Sequence, residues 1–315
     1  MLVNNAVGPF DEVLQYLSES LSDSLVLIED TYKKRIEEIR LRINNVLTVT
    51  LPEGSRFVDK SGTLSSSSDK AVIVTRRALE DSFKYLCNLS VYSFQNQIKN
   101  GFITIKGGHR AGVCGTAVIE NGKISTIRDI TSINLRIARE IKGCSQNIYD
   151  SLFKNKIIEG CLIISPPGGG KTTILRDLTR QLSENGKKIA AIDERGELGA
   201  VYDGLLQKDL GPLCDVLDGY PKYIGIIQAV RTLSPDAIVC DEIGDEEEAN
   251  AVFECMKCGV PVILTAHAST INDIRIRAPI YEMLSKNAIK YIVMLNGPEN
   301  PGTIKRIYKA GEIND

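Results

Sequence analysis

Nine consecutive residues, Ser165-Pro166-Pro167-Gly168-Gly169-Gly170-Lys171-Thr172-Thr173, have the types and spacing of a phosphate-binding P-loop. Glycines at 168, 169 and 170 let successive backbone N–H groups turn inward around a phosphate, because no Cβ blocks the approach. Lys171 is placed to reach the β- and γ-phosphates of ATP, and the Thr172 hydroxyl to bind Mg²⁺. The apolar run 161–164 reads as a short buried strand, and Ile174, Leu175, Leu178 and Leu182 fall on one helical face after the turn. That helix adds the positive end of its dipole to the anion site. Strand, glycine-rich turn and helix in this order separate a P-loop from an incidental turn with a lysine. Ser165 stands where the motif has its first glycine, and the glycine run before the lysine is intact.

Three further groups fit around a bound triphosphate. Ile238-Val239-Cys240-Asp241-Glu242 reads as an apolar strand ending in two carboxylates. Beside a P-loop, Asp241 would hold Mg²⁺ and Glu242 would orient and deprotonate the attacking water; alone, the pattern is a strand running into a solvated loop. A second cluster, Asp193-Glu194-Arg195-Gly196-Glu197, follows a strand ending at Ile192 that is expected to neighbour the P-loop strand. Its carboxylates either face the γ-phosphate or carry surface charge. Thr265-Ala266-His267-Ala268 closes another strand, so His267 lies on the nucleotide side, as a γ-phosphate donor or as a structural histidine. Phosphoryl transfer also calls for an arginine on the equatorial oxygens. Arg110, Arg136 and Arg139 are candidates acting in trans, and Arg231 from the same domain; each has an ordinary surface salt bridge as its alternative.

The elements that position these residues divide into two rhythms. Of 315 residues, 43% are hydrophobic and 25% charged, a soluble globular composition whose length suggests two domains. Residues 1–143 read as a mixed α+β domain. Val13, Leu14, Leu17 and Leu21 give it a helical arm that packs on its own core or on a partner. A strand at 47–51, a polar loop at 53–70, helix at 75–97 and strands at 102–105 and 112–120 follow, with Asn121-Gly122 as a type I′ hairpin turn. Between 140 and 146 the rhythm changes. Over 144–315, apolar strands at 161–164, 188–192, 237–240, 260–265 and 291–295 alternate with helices, which predicts an α/β fold with a mainly parallel sheet.

Composition also excludes. A net charge of −2, with pI about 5.9, offers no general polyanion-binding surface, so no nucleic-acid partner is expected. No apolar stretch approaches the roughly 20 residues of a membrane span, and Met1-Leu2-Val3-Asn4-Asn5 lacks a signal-peptide shape. Eight scattered cysteines read as free thiols. Cys255 and Cys258 form a lone C-x-x-C, read as a helix-buried pair rather than a zinc or redox site.

Together these motifs resemble the hexameric ATPases that drive type II and type IV secretion machines. The counterparts are residues 165–173, the acidic box 193–197, Arg231-Thr232-Leu233-Ser234-Pro235-Asp236 with Asp241-Glu242, and residues 265–267. Glu38-Ile39-Arg40-Leu41-Arg42, Gly108-His109-Arg110-Ala111-Gly112, Asp193-Glu194-Arg195 and Thr265-Ala266-His267-Ala268-Ser269 resemble, more closely, the stage III sporulation protein AA family of endospore-forming bacteria. The resemblance covers about 35–310. It implies a RecA-like ATPase domain after a smaller α+β domain, in a cytoplasmic homo-hexamer peripheral to the membrane. The implied membrane partners belong to a sporulation complex between mother cell and forespore, engaged from the mother-cell side. It also implies ATP and Mg²⁺ at subunit interfaces, with first-domain arginines reaching a neighbour's nucleotide. Glu242, Glu194 and Glu197 compete for the base role, with Glu242 leading for water polarisation or Mg²⁺ contact. The function expected is ATP hydrolysis to power assembly or transport; the alternatives are a nucleotide-gated scaffold with little turnover and a nucleic-acid-dependent ATPase.

Overall fold

The computed structural model describes residues 8–154 and 157–312, so the amino-terminal segment read above for a signal peptide lies outside the described residues. The chain divides into two compact units, Met1–Arg139 and Glu140–Asp315. In the first, seven strands form an antiparallel sheet in the order Leu64–Ser65, Gly54–Val58, Thr48–Leu51, Glu38–Arg42, Lys123–Arg136, His109–Glu120, Phe102–Ile105. Ile39 and Leu41 are fully buried while Arg40 and Arg42 lie on the other face, as the two-residue period of a strand requires. Asn121 and Gly122 both have positive φ, which the tight turn between the two longest strands needs. Val13, Leu14, Leu17 and Leu21 are buried in this unit's core.

Two expectations for this unit change. The polar stretch 53–70 contains the strand Gly54–Val58, paired with Thr48–Leu51 across a tight turn at Pro52-Glu53. Gly54, Ser55 and Arg56 hide the strand because they lie partly exposed near the sheet edge, while Val58 is buried in the core. The helical reading of 75–97 breaks after Leu86, where Asn88 and Leu89 take positive φ, before a 3₁₀ turn and the short helix Gln95–Lys99.

The second unit is a seven-stranded sheet in the order Cys214–Asp218, Ile189–Asp193, Ala237–Cys240, Val262–His267, Cys161–Ser165, Tyr291–Leu295, Ile304–Lys309. All neighbours pair in parallel except the last two, which form a hairpin. Leu162 and Ile164 enter one apolar core and Cys161 and Ile163 the other, so both faces of the P-loop strand are covered. The strand ending in the acidic cluster does not neighbour the P-loop strand: Ala237–Cys240 and Val262–His267 lie between them. Strands buried on both faces carry no pattern that specifies their neighbours. The edge strands Cys214–Asp218 and Ile304–Lys309 were not expected from sequence, because both are partly exposed and mixed in polarity. Cys255 is buried, its thiol pushed up to about 12 by desolvation, but Cys258 is exposed at the helix end, which corrects the reading of a buried pair.

The P-loop helix Lys171–Glu184 is anchored by a buried carboxylate. Asp177 accepts from Ser145 N at 2.8 Å, Ser145 Oγ at 2.7 Å and Gly143 N at 2.9 Å, and Arg180 lies 2.6 Å away. Burial alone would raise its pKa; the bonds from Ser145, Arg180 and Gly143 outweigh that and hold it well below the usual carboxylate range. A depressed carboxylate contributes stability that is present above its unfolded pKa of about 4 and lost as pH falls toward the folded value. Asp177→Asn should therefore cost about 3 kcal/mol at neutral pH. Urea unfolding of the two proteins should show the difference shrinking below about pH 4.

Candidate functional site

The parallel register brings the functional groups to one edge. Ser165 ends its strand opposite His267, and the P-loop turns away from there into the helix at Lys171. Gly168 and Gly170 have φ of +75° and +86°, conformations that L side chains rarely adopt. A Cβ on Gly170 would also lie 2.8 Å from Gly302 N. Gly302 N donates to Gly169 O at 2.9 Å, so the loop joining the last two strands braces the P-loop. Ser165 Oγ donates to Pro166 O at 2.8 Å, satisfying a hydroxyl that the usual glycine would not carry. Pro167 and Gly168 are exposed, Pro166 is half-buried, and Thr173 lines a cleft with Glu140, Lys142 and Arg176.

Lys171 is buried, and its ammonium donates to Ser165 O at 3.3 Å and to His267 Nδ1 at 2.9 Å. Burial pushes its pKa down, offset in part by the nearby Asp241 and Glu242 carboxylates. His267 Nδ1 accepts from Lys171, so Nε2 carries the proton and donates to Glu242 Oε1 at 2.6 Å. Arg195 Nη1 holds the other Glu242 oxygen at 2.8 Å. Lys171, His267, Glu242 and Arg195 thus form one continuous polar chain along the sheet edge.

Asp241 is fixed by two hydroxyls. Thr172 Oγ1 donates to Oδ2 at 2.6 Å and Thr265 Oγ1 to Oδ1, while Thr265 Oγ1 also accepts from Glu242 N at 2.8 Å. Among the described residues no group of three or more His, Cys, Asp or Glu could hold a metal ion alone. One carboxylate beside one hydroxyl is instead the oxygen donor set Mg²⁺ takes when substrate phosphates and water complete its shell, so Thr172 and Asp241 fit that ion.

The residues of the acidic box divide between shaping a turn and facing the pocket. Asp193 is buried and accepts from the N–H groups of Glu197, Leu198 and Gly199 at 2.7, 3.1 and 2.8 Å, which shapes the turn. The Glu197 carbonyl accepts from Arg176 Nη2 at 2.6 Å, tying that turn to the P-loop helix. Glu194 lines one pocket with Glu197, Asp241 and Glu242. Arg231 is not brought to this edge: it lies exposed in the last turn of Lys222–Thr232, ahead of the end of Ala237–Cys240 opposite Asp241. Arg110, Arg136 and Arg139 belong to the first unit. Arg110 stacks on Phe102, with its guanidinium carbon 4.1 Å from the ring centroid, and pairs in register with Arg136, which is exposed 3.7 Å from Glu38. Arg139 donates to the carbonyls of Lys33 and Ile36, and burial pushes its pKa down against the opposing charge of Glu37. The roles of Thr265 and Arg195 in holding Asp241 and Glu242 were not legible from sequence, nor was the buried Lys222, which donates to the Glu242 carbonyl. Thr265 sits two residues before His267 on one strand face, the only signal available.

Fold and site define a P-loop protein with the RecA-like architecture of the secretion ATPases. The Legionella pneumophila ATPase DotB aligns over 85% of this chain and 74% of its own, with TM-score 0.53 and 18% identity. The pilus retraction motor PilT, solved with bound ADP, aligns over 82% and 74%, with TM-score 0.52 and 15% identity. At those identities the likeness shows the fold. Residues 10–313 match the family described as Sporulation stage III, protein AA, and the chain belongs to that family. Stage III sporulation protein AA of Bacillus subtilis (strain 168) is 35% identical over 310 residues, covering 96% of each chain.

Gly170→Ala tests the loop geometry. Left-handed backbone strain of about 1–2 kcal/mol precedes any clash with Gly302, so ATP affinity measured by titration calorimetry should fall at least about tenfold, with the far-ultraviolet circular dichroism unchanged.

Proposed function

We propose that this chain is a Mg²⁺-dependent ATPase that hydrolyses ATP to ADP and phosphate to power assembly of, or transport through, a membrane-spanning sporulation complex. The observation that carries this reading is the convergence of Lys171 and Thr172 with Asp241, Glu242 and His267 at one sheet edge. Mg²⁺ would supply charge neutralisation on the phosphates, held from this chain by Thr172 and Asp241. Lys171 exchanges its imidazole and carbonyl acceptors for phosphate oxygens. That exchange frees His267 Nδ1 and leaves Nε2 bonded to Glu242, so the imidazole couples triphosphate binding to the carboxylate. Glu242 then polarises the attacking water, with Glu194 facing the same pocket as the second acid. Arg110 and Arg136 serve a neighbouring copy in a homo-hexamer; Arg139 is already committed to main-chain carbonyls. The protein works in the cytoplasm on the mother-cell side and reaches the membrane through a partner, in keeping with the family. Among the described residues no helix is long and apolar enough to cross a membrane.

A nucleotide-gated scaffold with little turnover is the second reading. What favours it is that both oxygens of Glu242 are occupied, by His267 and Arg195.

Phosphate release from purified protein separates the two. Lys171→Ala should abolish turnover, and undiminished hydrolysis in that variant would contradict the site. Glu242→Gln should lower kcat by about 100-fold or more, the ordinary share of a general base. Glu194→Gln should lower it less. Wild-type protein that binds ATP and assembles without releasing phosphate would favour the scaffold.

A further inference from the structure

The helix Lys222–Thr232 begins with a lysine in an unfavourable place. Lys222 is 7% exposed and occupies the first helical position after Pro221. A cation there sits at the positive end of the helix dipole, and burial strips its hydration. Helix stability gives no reason for it. Its ammonium instead joins three separate pieces of the candidate catalytic edge. It donates to the main-chain carbonyl of Glu242 at 2.5 Å, and lies 3.2 Å from Glu248 Oε1 and 3.8 Å from Glu194 Oε2. Glu194 follows the strand Ile189–Asp193, Glu242 follows Ala237–Cys240, and Glu248 lies in the first turn of the helix Glu246–Lys257.

Each contact bears on the position of a candidate acid. Glu242 has φ +51°, a left-handed conformation that a glutamate keeps only when its surroundings hold it there. Its N–H is held by Thr265 and its C=O by Lys222, so both sides of the residue are pinned. Glu248 accepts from the N–H groups of Gly244 and Asp245 at 2.7 and 3.3 Å, so the Lys222–Glu248 pair also fixes the far end of the same turn. Glu194, Arg195, Lys222, Asp241 and Glu242 line one pocket. The contacts of Lys171 and Thr172 run to Ser165, His267 and Asp241 and bypass Lys222.

We propose that Lys222 is a positioning residue of the hydrolytic site: its ammonium locks the Glu242 backbone so that the carboxylate faces the nucleotide, and draws Glu194 to the same cation. This rests on the hydrolysis reading above. Because Lys222 acts on the acids and not on the P-loop, it affects the reacting state more than bound ATP.

Lys222→Met keeps the aliphatic stem and removes the charge. Its affinity for a non-hydrolysable ATP analogue should stay within about threefold of wild type while kcat falls at least about tenfold, a split that marks loss of a transition-state interaction. Stable trapping of ADP with aluminium fluoride should be lost, and Lys222→Arg should recover part of both readouts. Lys222→Met strands Glu248 without its cation, so Lys222→Met/Glu248→Gln serves as the second variant. Its Tm should return toward wild type while kcat stays low. Full kcat in folded Lys222→Met overturns the proposal. So does recovery of kcat together with Tm in the double variant, or an affinity loss as large as the loss in kcat. Wild-type protein without turnover overturns the hydrolysis reading itself, and is told apart from these outcomes before any variant is made.

Discussion

A buried ammonium with no anion in contact among the described residues is the constraint around which the second unit is organised. Among the described residues Lys171 reaches a peptide oxygen and an imidazole nitrogen, although burial makes an under-compensated charge expensive. Asp241 and Glu242 act on it through space and offset only part of the cost. On the proposed function a triphosphate would supply the missing anion, at the same edge where glycine N–H groups and a helix N-terminus converge. Binding and the polar chain through His267 to Glu242 would thereby be linked: with Lys171 turned to phosphate, the histidine would lose the cation on Nδ1, and the carboxylate on Nε2 would be the group that responds.

The sheet makes this linkage possible. Thr172 lies in a helix, Asp241 just past one strand and Thr265 in another, far apart in sequence, yet the two hydroxyls meet one carboxylate. Parallel pairing at fixed register puts the ends of Cys161–Ser165, Ala237–Cys240 and Val262–His267 side by side. The turn after Ile189–Asp193 reaches the same edge, which brings Arg195 to Glu242 at the end of the adjacent strand Ala237–Cys240. The acidic box therefore contributes although its strand is not next to the P-loop. The sheet of the first unit plays a different part, carrying Arg40, Arg42, Arg110 and Arg136 on the face opposite the buried Ile39 and Leu41.

What could be read in the sequence follows from where the physics is local. The P-loop was legible because glycine, lysine and threonine at that spacing do one thing in a strand–turn–helix context. Asp241, Glu242 and His267 were legible as the polar ends of apolar runs. Strand order was not, because Ile189–Asp193, Ala237–Cys240 and Cys161–Ser165 are apolar on both faces and carry no mark of their neighbours. Lys222 was invisible for another reason: a lysine after a proline reads as a solvated helix start, and only tertiary packing buries it among carboxylates. The brace at Gly302 leaves no trace in sequence either, because a turn glycine has no signature for what it touches.

The central claim is that Thr172 and Asp241 meet to hold the ion that accompanies the triphosphate. Calorimetric titration with a non-hydrolysable ATP analogue, with Mg²⁺ and with Mg²⁺ chelated, tests it in wild type and in Asp241→Asn. Wild type should bind at least about tenfold more tightly with the ion present, a difference of about 1.4 kcal/mol, and Asp241→Asn should bind equally with and without it. An undiminished Mg²⁺ dependence in Asp241→Asn would contradict the account.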